Sequence, residues 1–402
     1  MTSPDAPGTC ALHGTTLIEG RLSRLRHVGP NWYATVMGTA ITATSGAALP
    51  TRPVWLRHLC EGMWALSALM LVALLLARAG HWMLHPDRAV DHLLDPAVAP
   101  FYGCLPMALL AVGAAGSAVG GEVIGVEAAI DTGWFLWTTG TVFGLITAVG
   151  VPYLMIVRHK VPVGSAAPSW LLPIVPPMVS AATGPALAAH LPAGQARETM
   201  LYSCLALFGL SLMATLAILP TVVTRLVHGG PLPLALTPTL FFVLGPLGQS
   251  VTATGKIADA ASSSLPIPMA HAVTYFSVLY GVPLMGFTLL WLALSIAMVL
   301  RALRGGMRFT MTWWGFTFPL GTCVTGAATL TAHTGLTAAG WLTVGLYFLL
   351  VVGWMSAWIG TVRHLLNGAL PGPELQHDDV PALGTGAVAG RNVRDLQASQ
   401  IV

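Results

Sequence analysis

The sequence predicts an all-α polytopic membrane protein, and three observations carry that class: scarce charge, apolar runs of membrane-crossing length, and an alternation between two kinds of run. Only 8% of the 402 residues are charged while 55% are hydrophobic. A soluble domain carries about a quarter of its residues as Asp, Glu, Lys and Arg, so this chain cannot coat a water-facing surface. The net charge of +3 comes from arginines flanking the apolar runs and implies no nucleic-acid partner.

A bilayer core of about 30 Å takes roughly 20 apolar residues per crossing. Ten runs fit, at about 30–49, 54–78, 101–120, 132–156, 169–190, 199–224, 233–254, 271–300, 312–333 and 339–362. The second opens on Arg57, His58 and Glu61, which marks its first turn as interfacial, and Pro238 and Pro246 interrupt the seventh. With the N-terminus inside, 14 of the 18 Lys and Arg residues fall in cytoplasmic segments, leaving Arg52, Arg57, Arg197 and Lys256 outside. That bias predicts both termini in the cytoplasm of a multi-pass cell-membrane protein. No cleaved signal is visible in residues 1–20. Residues 1–27 read as a polar tail, 28–366 as the transmembrane domain, and 367–402 as a Pro/Gly-rich disordered tail. The five cysteines are scattered and suggest neither a disulfide framework nor a metal site.

The odd-numbered runs share a pattern. "PLGQSVTATG" (246–255) and "PLGTCVTGAA" (319–328) both read Pro-Leu-Gly-x-x-Val-Thr. Looser relatives are "PMVSAATGPA" (177–186), "PMALLAVGAAG" (106–116) and "PNWYATVMGTAI" (30–41). The even runs are leucine-rich, with Pro283 an exception. In lipid, a backbone group freed by proline must be satisfied within the protein, so proline- and hydroxyl-bearing helices belong inside and leucine-rich ones against lipid. The expected architecture is five helical hairpins whose odd helices surround a central pore, kinked at Pro106, Pro177, Pro246 and Pro319. The competing reading is that the small residues merely allow close helix packing, as at Gly140 and Gly144.

"GPNWYATVMGTAI", "LGPLGQSVTATG" and "WWGFTFP" resemble the tellurite-resistance/dicarboxylate transporter family across about residues 28–365. The family spans bacterial tellurite-resistance and C4-dicarboxylate transporters, fungal malate permeases and sulfite exporters, and the plant slow anion channel. The resemblance implies ten helices as five hairpins, a pore in each protomer of a homotrimer, and a pore-plugging phenylalanine in the ninth helix. Phe318, next to Pro319 and about 15 Å from Arg308 along a helix, matches that ring. Phe316 is turned away by about 200°. Trp313 and Trp314 read as interfacial anchors.

Thr39, Thr42, Ser180, Thr183, Gln249, Thr252, Thr322 and Thr325 are the candidate pore-lining residues, because hydroxyls, backbone dipoles near kinks and pore width select weakly enough for an ion to leave. Lys256, three residues before Asp259, is a candidate for anion attraction or a snorkelling pair. Glu61, His190, His271 and Asp259 are the candidates for proton coupling, with Glu61 also placed to pair with Arg57. The reading is an anion transporter for a small organic dianion such as malate or succinate, without a cofactor. The alternatives are a sulfite exporter, a small inorganic anion channel and, remotely, a membrane metalloenzyme using His81, His85 and His92.

Overall fold

The computed structural model describes residues 28–367, and all regular structure among them is helical. Apart from Asn367, the two expected tails lie outside the described residues. In chain order the helices are α1 (Tyr33–Ala47), α2 (Val54–Leu84), α3 (Pro86–Leu94), α4 (Cys104–Ala115), α5 (Val126–Val157), α6 (Pro176–Ala188), α7 (Gln195–Gly229), α8 (Leu244–Ala261), α9 (Ile267–Arg304), α10 (Phe318–Thr334) and α11 (Thr337–Leu366). A π-helical stretch, Gly116–Gly120, and a single turn, Gly121–Ile124, extend α4.

Two builds alternate. The long helices α2, α5, α7, α9 and α11 run 30 to 38 residues. The short helices α1, α4, α6, α8 and α10 run 12 to 18, each behind a 3-10 leader: Pro30–Trp32, Ala99–Gly103, Pro168–Ile174, Leu234–Val243 and Met311–Phe316. Among the described residues seven helices are long and apolar enough to cross a membrane, or eight if the leader and body of α6, bent by 44°, count as one span. Helices cover all ten apolar runs, and the lower count has a plain cause. At 15 and 17 residues, α1 and α10 are too short alone for a core of about 30 Å.

The prolines expected to kink helices lie where a 3-10 leader gives way to the α-helix, and beside Pro177 the span does bend, by 44°. Pro106, Pro177, Pro246 and Pro319 occupy the second or third position of α4, α6, α8 and α10. The missing N–H is harmless there, because first-turn donors have no intrahelical acceptor anyway. Nor is proline confined to the short helices: Pro152, Pro220 and Pro283 lie inside α5, α7 and α9. Carbonyls in and beside the leaders find side chains on other elements. The Trp291 indole donates to Leu240 O at 3.0 Å, the Ser211 hydroxyl to Ile174 O at 2.6 Å, and the Thr312 hydroxyl to Ala235 O at 2.7 Å.

Each short helix packs on the long helix that follows it, and the short helices touch in the cyclic order α1, α4, α6, α8, α10 and back to α1. Burial separates the two sets. The most apolar window of α8 and its leader is 83% buried, against 17–28% in the long helices. Leu69, Ile156, Leu279 and Phe348 stand exposed on the long helices, as lipid-facing side chains do.

Glycines set the seams between short helices. A Cβ on Gly248 would lie 2.6 Å from Cys323 N, and one on Gly326 would lie 2.9 Å from Gly248 O. Gly321 presses on Ile41, Gly38 on Thr317, and Gly103 on the Leu172 carbonyl. Gly140 and Gly144 of α5 meet Leu110 and Pro176, which is the packing role expected of them. The glycine of each Pro-Leu-Gly repeat is therefore a contact point between neighbouring helices. Replacing Gly248 with alanine is expected to destabilise by about 1–3 kcal/mol through overpacking against backbone. Thermal unfolding of detergent-purified protein checks this, and an unchanged midpoint contradicts it.

Candidate functional site

All five leader-and-helix units give residues to one small cavity inside the ring: Asn31, Ala34 and Met37, then Phe101, Cys104 and Met107, then Leu172 and Val175, then Phe242 and Gly245, and finally Met311, Trp314, Gly315, Phe318 and Pro319. Its volume is about 20 Å³, room for about one water. The Phe318 ring, 2% exposed, lines it. Phe316 does not. It packs edge-on against Phe241, with centroids 4.9 Å apart, and against Gly353 of α11. The 3-10 leader also draws the tryptophans inward. Trp314 is 1% exposed and its indole donates to the Thr361 hydroxyl at 2.9 Å, so it is no interfacial anchor, and Trp313 is half-buried.

The face of α8 turned toward the cavity follows from its neighbours. Taking Gly245 as zero, Gly248 at about −60° abuts α10, and Ala253 at about +80° joins Met178 and Ala181 of α6. Between those seams lie Gly245, Gln249 at about +40°, Thr252 at about −20° and Lys256 at about +20°. Gly245 is buried, yet a Cβ built there meets no heavy atom within 4 Å. It faces open space level with the Phe318 ring, because Gly248, one turn on, abuts Thr322 and Cys323.

The same bookkeeping sorts the other sequence candidates. Thr325 shares a hydrogen bond of 2.8 Å with Thr252, and both hydroxyls also find backbone carbonyls. Thr322 is enclosed and bonds to Pro319 O at 2.6 Å and Leu244 O at 3.3 Å, within the α8–α10 seam. Thr183 is half-buried, bonds to Val179 O, and lies about 80° of helix rotation from Val175 of the cavity. Two candidates meet the outer layer: Thr39 accepts from the Trp354 indole of α11 at 3.1 Å, and Ser180 accepts from Thr141 of α5 at 2.8 Å, while Thr42 is buried and bonds back to Gly38 O of its own helix. A hydroxyl count cannot reveal the facing of a helix. Two residues passed over in the sequence are Gly245, which lines the cavity, and the half-buried Thr44, seven residues past Met37 and within about 20° of its face of α1. For Gly245 the only sequence signal is its place one residue before the repeat.

At the far end from the leaders, Lys256 pairs with Asp259 at 3.0 Å, and Asp259 also meets His333 Nε2 of α10 at 2.7 Å. His333 Nδ1 reaches the Ser277 hydroxyl of α9 at 3.0 Å. A larger cavity of about 640 Å³ opens at that end, lined by Arg52, Arg57, Glu61, Glu122 and His190 among others. Glu61 pairs with Arg57 at 3.7 Å and His58 at 2.9 Å, and Arg57 bridges to Glu122 at 3.1 Å. His271 is exposed at the start of α9, its ring 6.4 Å from that of Tyr275.

His81, His85 and His92 do come together. The His81 and His92 rings stack at 5.4 Å with planes 3° apart, and His85 is 6.3 Å from His81. Stacked rings direct their in-plane nitrogens past one another, and among the described residues no group of three or more His, Cys, Asp or Glu is placed to hold a metal ion. Burial first, then His81 and Arg78, hold the His92 imidazole below its usual pKa against the pull of Asp95 and Asp91.

A helical membrane protein with small, buried helices around an internal cavity, and lipid-facing helices outside them, belongs to the class of membrane transport proteins. Residues 27–362 match the model of the voltage-dependent anion channel family, and the chain is a member of that family. It is 25% identical over 351 residues to an uncharacterized transporter of Methanocaldococcus jannaschii, covering 87% of this chain and 97% of that one. It is 28% identical over 302 residues to a sulfite efflux pump of Trichophyton rubrum, covering 74% and 80%. A malic acid transport protein of Schizosaccharomyces pombe is 24% identical over 212 residues, about half of each chain.

Gly245 and Gly248 separate open space from seam. Gly245→Ala is expected to keep or raise stability, by up to about 1 kcal/mol from helix propensity, where Gly248→Ala lowers it. Thermal unfolding of the two variants side by side checks this, and a loss at Gly245 equal to that at Gly248 contradicts it.

Proposed function

We propose that the protein conducts a small anion across the cell membrane through a pathway enclosed by α1, α4, α6, α8 and α10, and that the Phe318 ring is its gate. The carrying observation is that all five short-helix units border the cavity at that ring. In this reading the chain crosses the membrane ten times as five hairpins, with both termini in the cytoplasm, and the 3-10 leaders lengthen the short helices to span the core. The homotrimer rests on the family resemblance.

The pathway walls supply amide and hydroxyl groups rather than fixed charge, so binding is weak and passage fast. Lys256, at the far end of the α8 stripe and tied to Asp259, raises the local anion concentration at the mouth. Buried Phe318 in a cavity of water size describes a closed pathway. Glu61 and His271 remain the candidates for proton coupling if transport follows a proton gradient.

A C4-dicarboxylate such as malate is one substrate, supported by the malic acid transport relative, and tellurite resistance is the companion role that the resemblance suggests. Sulfite is the second reading. The sulfite efflux relative is matched over 74% of this chain, against 49% for the malic acid transport relative.

In proteoliposomes, Phe318→Ala is expected to raise anion flux at least about tenfold and make it follow imposed voltage. Malate, sulfite and chloride uptake compared under voltage and pH gradients identifies the substrate. Unchanged flux in the alanine variant, with wild-type flux following the proton gradient, rejects the gate and favours a carrier.

A further inference from the structure

Gln249 sits on the lumen stripe of α8, four residues past Gly245 and so about 6 Å beyond the level of the Phe318 ring. It is 3% exposed, and its amide oxygen is enclosed without a hydrogen-bond partner. No other described residue bonds to any part of that amide. This contrasts with the stripe's other polar residues: Thr252 is satisfied by Gly248 O and Thr325, and Lys256 by Asp259. The enclosed oxygen is an acceptor and cannot meet an anion; the NH₂ has no protein partner either and is not enclosed, so it is the half of the amide open to the cavity side. A carboxamide turns about its last torsion between two nearly equivalent positions, so its NH₂ can be presented to whatever occupies the lumen.

We infer that Gln249 binds the transported anion, donating its amide N–H groups to an oxyanion or halide that has shed part of its hydration just outside the closed ring. The inference rests on the proposed pathway and adds a ligand site to it. A neutral donor suits that position. A lysine or arginine there would hold an anion too tightly to release, whereas an amide replaces lost water at modest strength. The same chemistry recurs on the other side of the ring. Asn31, which lines the small cavity, likewise has an enclosed oxygen and an NH₂ that is unpartnered and not enclosed. The ring is thus bracketed by two neutral amides, and the order of selection is amide, ring, amide, with charge confined to the mouths.

The test uses the full chain purified in detergent and then reconstituted, with Gln249→Glu and Gln249→Met made in both the wild-type and the Phe318→Ala backgrounds. Glutamate keeps the shape, removes the donors and adds repulsion; methionine keeps the length and offers no donor, and carries the test if the charged variant fails to fold. Calorimetric titration with sulfite and with malate should show affinity reduced at least about tenfold by either substitution, with or without Phe318. Flux through the Phe318→Ala pore should fall about tenfold with glutamate and about threefold or more with methionine, with a changed sulfite-to-chloride ratio.

Folded Gln249 variants that keep affinity, flux and ion ratio within twofold overturn the inference while leaving the gate intact. Affinity that depends on Gln249, with flux indifferent to Phe318→Ala, keeps the binding site and rejects the gate instead.

Discussion

The structure depends on one constraint: inside lipid, each backbone N–H and C=O must find its partner in the protein. The short helices relax regular α geometry in their leaders, and proline starts their α-helical part. Both choices free carbonyls, and those carbonyls are recovered by Trp291, Ser211 and Thr312 from other elements. Such irregular backbone survives only where protein surrounds it. That is why the leaders lie inside, why the long regular helices lie outside, and why the leaders converge on the cavity at Phe318.

Close approach is the second half of the arrangement. Five slim helices can close a ring because glycine lies where neighbours touch: Gly38 at Thr317, Gly103 at Leu172, Gly248 at Cys323 and Gly321 at Ile41. The threonines of α8 and α10 lock the same seam through Thr252 and Thr325. Small residues are thus used in two opposite ways on one helix. Gly248 permits contact and Gly245 preserves empty space, and of the two only Gly245 borders the cavity.

Much of this was legible in the sequence. The apolar runs gave the helices to within a few residues at most ends, and the split between Pro/Gly/Thr-rich and leucine-rich runs matched the split in burial. The repeat "PLGxxVT" pointed to the right segments, although its glycine and threonine mark a helix–helix seam as much as a lumen. What composition could not give was direction. Thr39 and Ser180 are hydroxyls on the right helices whose partners are Trp354 and Thr141 of the outer layer. Trp314 looked like an interfacial anchor because its neighbours in sequence end near Arg308, and the 3-10 leader turns it inward to Thr361. The prolines mark the junctions of leader and α-helix: two or three residues in, a proline starts a helix, and beside Pro177 the same junction also bends the span by 44°.

The central claim is that the Phe318 ring divides one continuous pathway into two compartments. Side-specific labelling of single cysteines by a small charged thiol reagent tests it, in a chain whose native cysteines are replaced by alanine. Thr183→Cys, beyond the ring, should react from the far side whatever residue occupies position 318. Ala34→Cys, on the leader side, should react from that far side only when Phe318→Ala is also present. Labelling of Ala34→Cys with the ring in place, or its absence after the ring is removed, contradicts the account.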